Sequence, residues 1–297
     1  MASKSDMLCI GSVLWDVIGR RDDPMSYGDD RPGRIERIPG GVALNVAMAL
    51  SRAGLTPSLL SCVGKDVDGD DLIAACNHLG IETDHIYRSE TLRTDIYMAI
   101  EANGELVAAM ADAHSLEAAG FAILAPLADG RLGSPLAPYA GTIVLDGNLT
   151  VEVLDHVSTD PLFAKADLRV APASPGKARR LRSCFGHDQA TFYLNVEEAC
   201  LICDTDFPSA REAAIAMREA GAKRVVVTHG SRSVALASRD GVIEVNPPEV
   251  TVTRVTGAGD TFMAGHIAAE KAGKDRYGAL ATALDVTATY IAGGENT

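Results

Sequence analysis

A chain of 297 residues, 47% apolar and 23% charged, can bury a substantial core without metals or disulfides. One large domain with a small appendage is the expected organisation for an α/β chain of this length. Its 27 basic residues against 40 acidic ones leave a formal net charge of −13, which argues against nucleic acid or an anionic membrane as the main partner.

The opening Met1-Ala2-Ser3-Lys4-Ser5-Asp6 carries no apolar targeting stretch, and no run is long enough to span a bilayer, so a cytoplasmic protein is expected. The apolar run at 7–13 has the look of a buried strand, and 59–63, 142–145, 168–170 and 224–228 repeat it. Between these runs, residues 42–53, 70–79 and 209–220 read as helices, each followed by a capping glycine, Gly54, Gly80 or Gly221. Such alternation predicts a mainly parallel sheet with helices on both faces, a three-layer α/β/α core. Two stretches break the pattern. Residues 14–39 are charged and rich in Gly, Pro and Asp, ending in the alternating Arg34-Ile35-Glu36-Arg37-Ile38. Residues 94–112 hold two strand-like runs around Asn103-Gly104, a hairpin signal. These two stretches, 14–39 and 94–112, predict a small β lid over a pocket at the edge of a core built from 1–13, 40–93 and 113–297.

The six cysteines, Cys9, Cys62, Cys76, Cys184, Cys200 and Cys203, lie mostly in apolar segments with no even framework, which predicts reduced thiols. Cys200-x-x-Cys203 has no second pair and reads as the face of a buried helix rather than half a zinc site.

The sharpest chemical signal is Val252-Thr253-Arg254-Val255-Thr256-Gly257-Ala258-Gly259-Asp260, the end of a strand followed by a helix running to about Ala272. Glycines opening a helix leave backbone N–H groups free to face an anion, which the helix dipole also favours. That suits a transferring phosphoryl group, with Asp260 beside it to take a proton from an attacking hydroxyl. Taken alone, the same glycines also make an ordinary tight loop, with Asp260 merely complementing the dipole.

The full Thr256-to-Asp260 string resembles the ribokinase-like (PfkB) kinases. The resemblance implies that Gly257, Ala258 and Gly259 form an anion hole, that Asp260 is the catalytic base, and that Thr256 lies on the ATP side. Ile38-Pro39-Gly40-Gly41-Val42-Ala43-Leu44-Asn45-Val46-Ala47 resembles the N-terminal signature of that family, which implies that Gly40, Gly41 and Asn45 contact the sugar. Asp16, closing Gly11-Ser12-Val13-Leu14-Trp15-Asp16 just past the first strand, is implied as the acid gripping ribose hydroxyls; a lone Asp there is otherwise a turn residue. Gly64-Lys65-Asp66-Val67-Asp68-Gly69 is similar to a further glycine turn, with a structural role. Asn195-Val196-Glu197-Glu198 matches an Asn-x-x-Glu motif that implies Asn195 and Glu198 in the magnesium and phosphate environment, Glu198 through a water. The same spacing is also a helix capping box. Thr228 and Gly230, in Thr228-His229-Gly230-Ser231, are implied on the nucleotide side.

Finer likenesses point to the pseudouridine kinases within the family. They lie in Tyr27 to Ile35, in Thr94-Asp95-Ile96-Tyr97, in Asp146-Gly147-Asn148-Leu149 and in Pro172-Ala173-Ser174-Pro175-Gly176-Lys177, and imply Thr94 and Lys177 as substrate residues. Asp112 in Ala111-Asp112-Ala113-His114 is implied as well, although the Asn that tends to follow it in that group is missing. The implied reaction is magnesium- and ATP-dependent phosphorylation of a ribose 5′-hydroxyl, that of pseudouridine. Its rivals are a ribokinase or another sugar or nucleoside kinase, and a catalytically silent ligand sensor on the same fold. A dinucleotide-dependent oxidoreductase is disfavoured because no Gly-x-Gly-x-x-Gly follows the first strand. Arg254 stands where many of these kinases place an Asp of a potassium site, so K+ bound in the usual way is not expected. An exposed lid strand invites pairing with a second copy, so a homodimer is expected.

Overall fold

The computed structural model describes residues 7–294; residues 1–6, whose sequence was read for targeting signals, lie outside the described residues. The chain begins β1 (Met7–Ile10), β2 (Leu14–Arg21), β3 (Arg34–Gly40), α1 (Val42–Arg52), β4 (Ser58–Leu60), β5 (Cys62–Gly64) and α2 (Val67–His78). It continues β6 (Tyr87–Ser89), β7 (Ile96–Ala102), β8 (Glu105–Asp112), α3 (Ser115–Ala119), α4 (Ala125–Ala128), β9 (Thr142–Asp146), α5 (Val151–Thr159) and β10 (Asp167–Ala171). The last third holds β11 (Ala190–Asn195), α6 (Val196–Cys203), α7 (Ala210–Glu219), β12 (Arg224–Thr228), β13 (Val234–Ser238), β14 (Gly241–Val245), α8 (Ala258–Lys271) and α9 (Arg276–Ile291).

Eight strands form one sheet in the order β14-β13-β12-β11-β10-β9-β1-β4. The six from β12 to β4 are parallel, and β13 and β14 close one edge as antiparallel strands that the sequence pattern did not announce. Helices cover both faces, so the parallel strands are apolar on both sides and lose the alternation of a half-exposed strand. In β1, Leu8 and Ile10 enter a core shared with α5 and α7, while Met7 and Cys9 enter a second core shared with α1, α8 and α9. Helix α1 turns Ala43, Leu44, Val46, Ala47 and Leu50 inward, a stripe at the 3.6-residue period. No helix among the described residues is long and apolar enough to cross a membrane.

A second, four-stranded sheet runs β3-β2-β7-β8, with β2 and β7 parallel and both outer pairs antiparallel. Its strands come from the two stretches that broke the pattern in the sequence. The charges of Asp16, Arg20 and Arg21 hid β2, which the sequence reading left without a strand. Consequently Asp16 lies inside β2, opposite Ile38 and Tyr97, rather than in a turn after β1.

Two further differences have local causes. The run 59–63, read as one strand, divides at Ser61. Its hydroxyl donates to Gly11 O at 2.6 Å and its carbonyl accepts from Tyr87 N at 2.9 Å, so β4 joins the large sheet while β5 pairs with β6. Helix α2 starts three residues before the expected 70, because the Asp66 carboxylate caps it, accepting from Gly69 N at 2.8 Å.

Candidate active site

Parallel strands carry all their C-terminal ends to one edge of the sheet, the position at which open α/β sheets bind ligands. That edge collects the segments after β1, β9, β10, β11 and β12, and with them Ser12, Asp146, Lys177, Asn195 and Thr228. Helices α1 and α8 start there as well, and bring Asn45 and Asp260 together across 215 positions of sequence: Asn45 Nδ2 donates to Asp260 Oδ2 at 3.0 Å.

Each helix start is built on glycine for a steric reason. Gly41, the residue before α1, has φ 96°, and a Cβ there would sit 2.5 Å from the Ser12 carbonyl. Gly257, before α8, has φ 81° and would meet the Tyr290 hydroxyl at 2.7 Å. At Gly40 a side chain would strike the Asp16 carboxylate at 2.0 Å, so Asp16 lies directly against the glycine pair. Among the described residues the N–H groups of Gly257, Gly259 and Asp260 have no hydrogen-bond partner, while that of Ala258 closes a turn on Val255 O at 3.1 Å. Three unpartnered donors at a helix start can receive an anion, and Ala258 is the member of the motif whose donor is already used.

Burial sets the charges. The carboxyl of Asp260 is pushed up from 3.8 to about 6, chiefly by desolvation and also by the Asp146 charge, against the Asn45 hydrogen bond that lowers it. Asp16 rises to about 6 by burial. Glu198 rises to about 7 by burial, reinforced by Glu197 and Asp260, with a backbone hydrogen bond from Asn195 opposing. A carboxylate poised near neutrality beside an anion site is what proton removal from a hydroxyl calls for.

The capping-box reading of Asn195 and Glu198 holds in full: Asn195 Oδ1 accepts from Glu198 N and Glu198 Oε2 from Asn195 N, both at 2.8 Å. Glu198 Oε1 takes no partner among the described residues, which leaves it able to meet a water on a magnesium ion; Mg2+ keeps most of its waters and needs few protein ligands. Thr228 ends β12 opposite Asn195, its hydroxyl 3.4 Å from Leu194 O, and Gly230 follows in an exposed turn at φ 57°. Thr256 is exposed, its carbonyl accepting from Tyr290.

Other expected residues stand farther out. Lys177 Nζ donates to Asn148 Oδ1 at 2.7 Å and its charge reaches Asp146. Thr94 is buried with its hydroxyl engaged twice, donating to Asp66 Oδ1 at 2.6 Å and accepting from Gly64 N at 3.2 Å. Asp112 is exposed at the end of β8, opposite Ile96. Cys200 and Cys203 are half-buried on α6, Cys203 Sγ lying 3.6 Å from Met217 Sδ.

Sequence reasoning singled out the segment at Asp146 but gave that residue no part. It is wholly buried and accepts from Ser12 N at 2.8 Å, Ala43 N at 3.1 Å and Asn148 N at 2.8 Å, tying the ends of β1 and β9 to the start of α1. The available signal was a carboxylate closing the fully apolar run Thr142-Ile143-Val144-Leu145.

Comparison with known proteins bears on the family and the fold. A family profile described as "pfkB family carbohydrate kinase" matches residues 4–292. The chain is 29% identical over 273 residues to the pseudouridine kinase of Escherichia coli, covering 89% of this chain and 83% of that one. A carbohydrate kinase structure from Agrobacterium tumefaciens is similar with TM-score 0.79 and 27% identity, over 95% of this chain and 89% of the other. The Arabidopsis thaliana ribokinase complexed with ribose and ATP shares the fold, with TM-score 0.76 and 17% identity over 97% of this chain and 93% of its own. With its ribokinase-like α/β fold, the chain belongs to the pfkB family of carbohydrate kinases.

Proposed function

We propose that this kinase transfers the γ-phosphoryl group of ATP to the 5′-hydroxyl of a ribosyl compound, and that its acceptor is pseudouridine. The observation that carries the chemistry is the 3.0 Å hydrogen bond between Asn45 and Asp260 at the start of α8, beside three unpartnered N–H donors. Asp16, Gly40, Gly41 and Asn45 hold the ribose. Asp260 takes the proton from the 5′-hydroxyl, and Asn45 keeps its carboxylate aimed and largely ionised at neutral pH. Gly257 and Gly259, with the Asp260 N–H, stabilise charge on the phosphoryl oxygens in flight, the part of phosphoryl transfer in which a protein contributes most. Thr228, Gly230, Thr256 and Asn195 lie on the nucleotide side, and Glu198 would hold a magnesium water. When bound, magnesium neutralises charge on the donor phosphates.

The four-stranded sheet is the lid in this reading, closing on the acceptor and excluding water that would otherwise consume ATP. A homodimer through that sheet is supported by β8, exposed along its whole length, and by the exposed Met98, Leu106 and Met110. Potassium bound in the usual way is not expected, since Arg254 stands where many of these kinases place an Asp, its side chain donating to Tyr290 O at 2.8 Å and Gly294 O at 3.3 Å.

Support for pseudouridine comes from the Escherichia coli relative and from the Thr94 and Lys177 segments. The rival acceptor within the family is ribose or another sugar or nucleoside, and the Thr94 hydroxyl, already engaged with Asp66 and Gly64, does not discriminate among them. The deciding experiment measures ADP release with MgATP against pseudouridine, uridine, adenosine, cytidine, ribose and fructose, with and without potassium. Strong preference for pseudouridine is expected; turnover with ribose alone moves the assignment to a ribokinase, and silence on every acceptor ends the kinase reading.

A further inference from the structure

The anion site is anchored from outside by a residue that the proposed chemistry does not use. The segment before Gly257 has no regular structure, and its hydrogen bonds run to the C-terminal end of α9. Thr253 N and Arg254 N both donate to Ile291 O, at 2.8 and 3.2 Å, and the Tyr290 hydroxyl donates to Thr256 O at 2.9 Å. The Arg254 guanidinium stacks over the Tyr290 ring at 3.7 Å and donates through Nε to the Tyr290 carbonyl, so ring and backbone of Tyr290 are gripped together. A cation at the C-terminal end of a helix is also favoured by the dipole.

The geometry points to Tyr290 as a positioning residue for phosphoryl transfer, one that sets the direction of the Gly257 N–H. In a trans peptide the carbonyl of one residue and the N–H of the next point in opposite directions. Tyr290 holds the Thr256 carbonyl outward, so the Gly257 N–H faces away from Tyr290, and it has no other partner among the described residues. The same hydroxyl abuts the Gly257 Cα, closely enough that a Cβ would lie 2.7 Å away. One oxygen thus fixes both the peptide plane and the position of the first donor. Arg254, stacked on the ring, keeps the hydroxyl there. Donors aimed in advance act on the transition state without reorganisation, so loosening them lowers kcat more than it weakens ground-state binding.

This inference rests on the kinase reading, and its test separates the two. Tyr290→Phe keeps the ring and its stack on Arg254 but removes the hydroxyl. The expected result is a fall in kcat of about ten-fold, with the KM values for acceptor and MgATP changed by less than about two-fold and a melting temperature lowered by no more than a few degrees. Arg254→Ala, at an exposed position, is expected to lower kcat in the same direction by a smaller factor. Unchanged kcat in both variants of an active enzyme overturns the inference, as does a raised KM for MgATP at constant kcat, which would make Tyr290 a nucleotide contact. Binding of inorganic phosphate, measured by calorimetry on both proteins, judges the clamp apart from turnover. If the wild type turns over no acceptor, the kinase reading fails, and the clamp then stands on weaker phosphate binding by Tyr290→Phe or falls on equal binding.

Discussion

The carboxyl edge of the eight-stranded sheet and the four-stranded sheet beside it differ in what holds their side chains in place. At the first, Asp146 is wholly buried and bonded to three backbone N–H groups, Asp260 is bonded to Asn45, and Asn195 and Glu198 cap each other. At the second, β8 is exposed throughout, and Arg20 bridges Glu36 and Glu101 in ion pairs open to solvent. Burial makes the first site expensive to distort and perturbs its acids, whereas the second is held by the backbone ladders of β2 with β3 and β7 and of β7 with β8, its surface ion pairs adding little in water. The difference lies in the side chains: those at the buried edge are each fixed by several partners, which suits chemistry that needs atoms held to a fraction of an ångström, whereas those of β8 stand in solvent.

The most direct way to break this contrast is Asp260→Asn. Loss of kcat by about 10²- to 10⁴-fold is expected, with ATP binding retained, read by single-turnover kinetics and nucleotide titration. Retention of most activity would remove Asp260 from the chemistry. The same variant sharpens the comparison through stability. The folded-state value of Asp260 lies above its ordinary 3.8, so its favourable contribution is complete below that pH and is lost as pH rises through about 6. Asp260→Asn is therefore expected to melt above the wild type at pH 8, with the gap closing below pH 4.

A smaller effect is expected from pH on the wild type. As pH falls through about 6 Asp260 takes up its proton, so kcat/KM should drop about ten-fold per pH unit below that point. A rate that stays flat down to pH 4.5 would mean that no carboxyl with a raised pKa controls the step. The smallest change belongs to the four-stranded sheet, the proposed lid. Leu106→Glu with Met110→Glu, two exposed positions on β8, should shift stability by less than about 0.5 kcal/mol while lowering, in sedimentation, the content of the dimer proposed through this sheet. A large drop in melting temperature would show the second sheet to be as tightly built as the first.

Much of the site was legible because its motifs are local. A glycine pair before a helix at Gly40-Gly41 and a glycine string before Asp260 each carry their conformational meaning in a few consecutive residues, and so does the Asn195 to Glu198 capping box. The parallel sheet was legible for a similar reason, since strands buried on both faces read as short apolar runs. The sequence by itself thus determined the α/β alternation, the fold family and the residue types of the anion loop. Only the tertiary structure decided that β2 is a strand despite its charges, because its pairing with β3 and β7 outweighs local composition. It also decided that Asp146 ties three segments together, that Thr94 faces Asp66, and that Tyr290 grips the Thr256 carbonyl. Apart from the local bond from Asn148 to Asp146, those contacts join residues 28 to 134 positions apart. No pattern within one segment encodes them: a hydrogen bond between distant residues exists only once the sheet has brought the ends of its strands to a common edge.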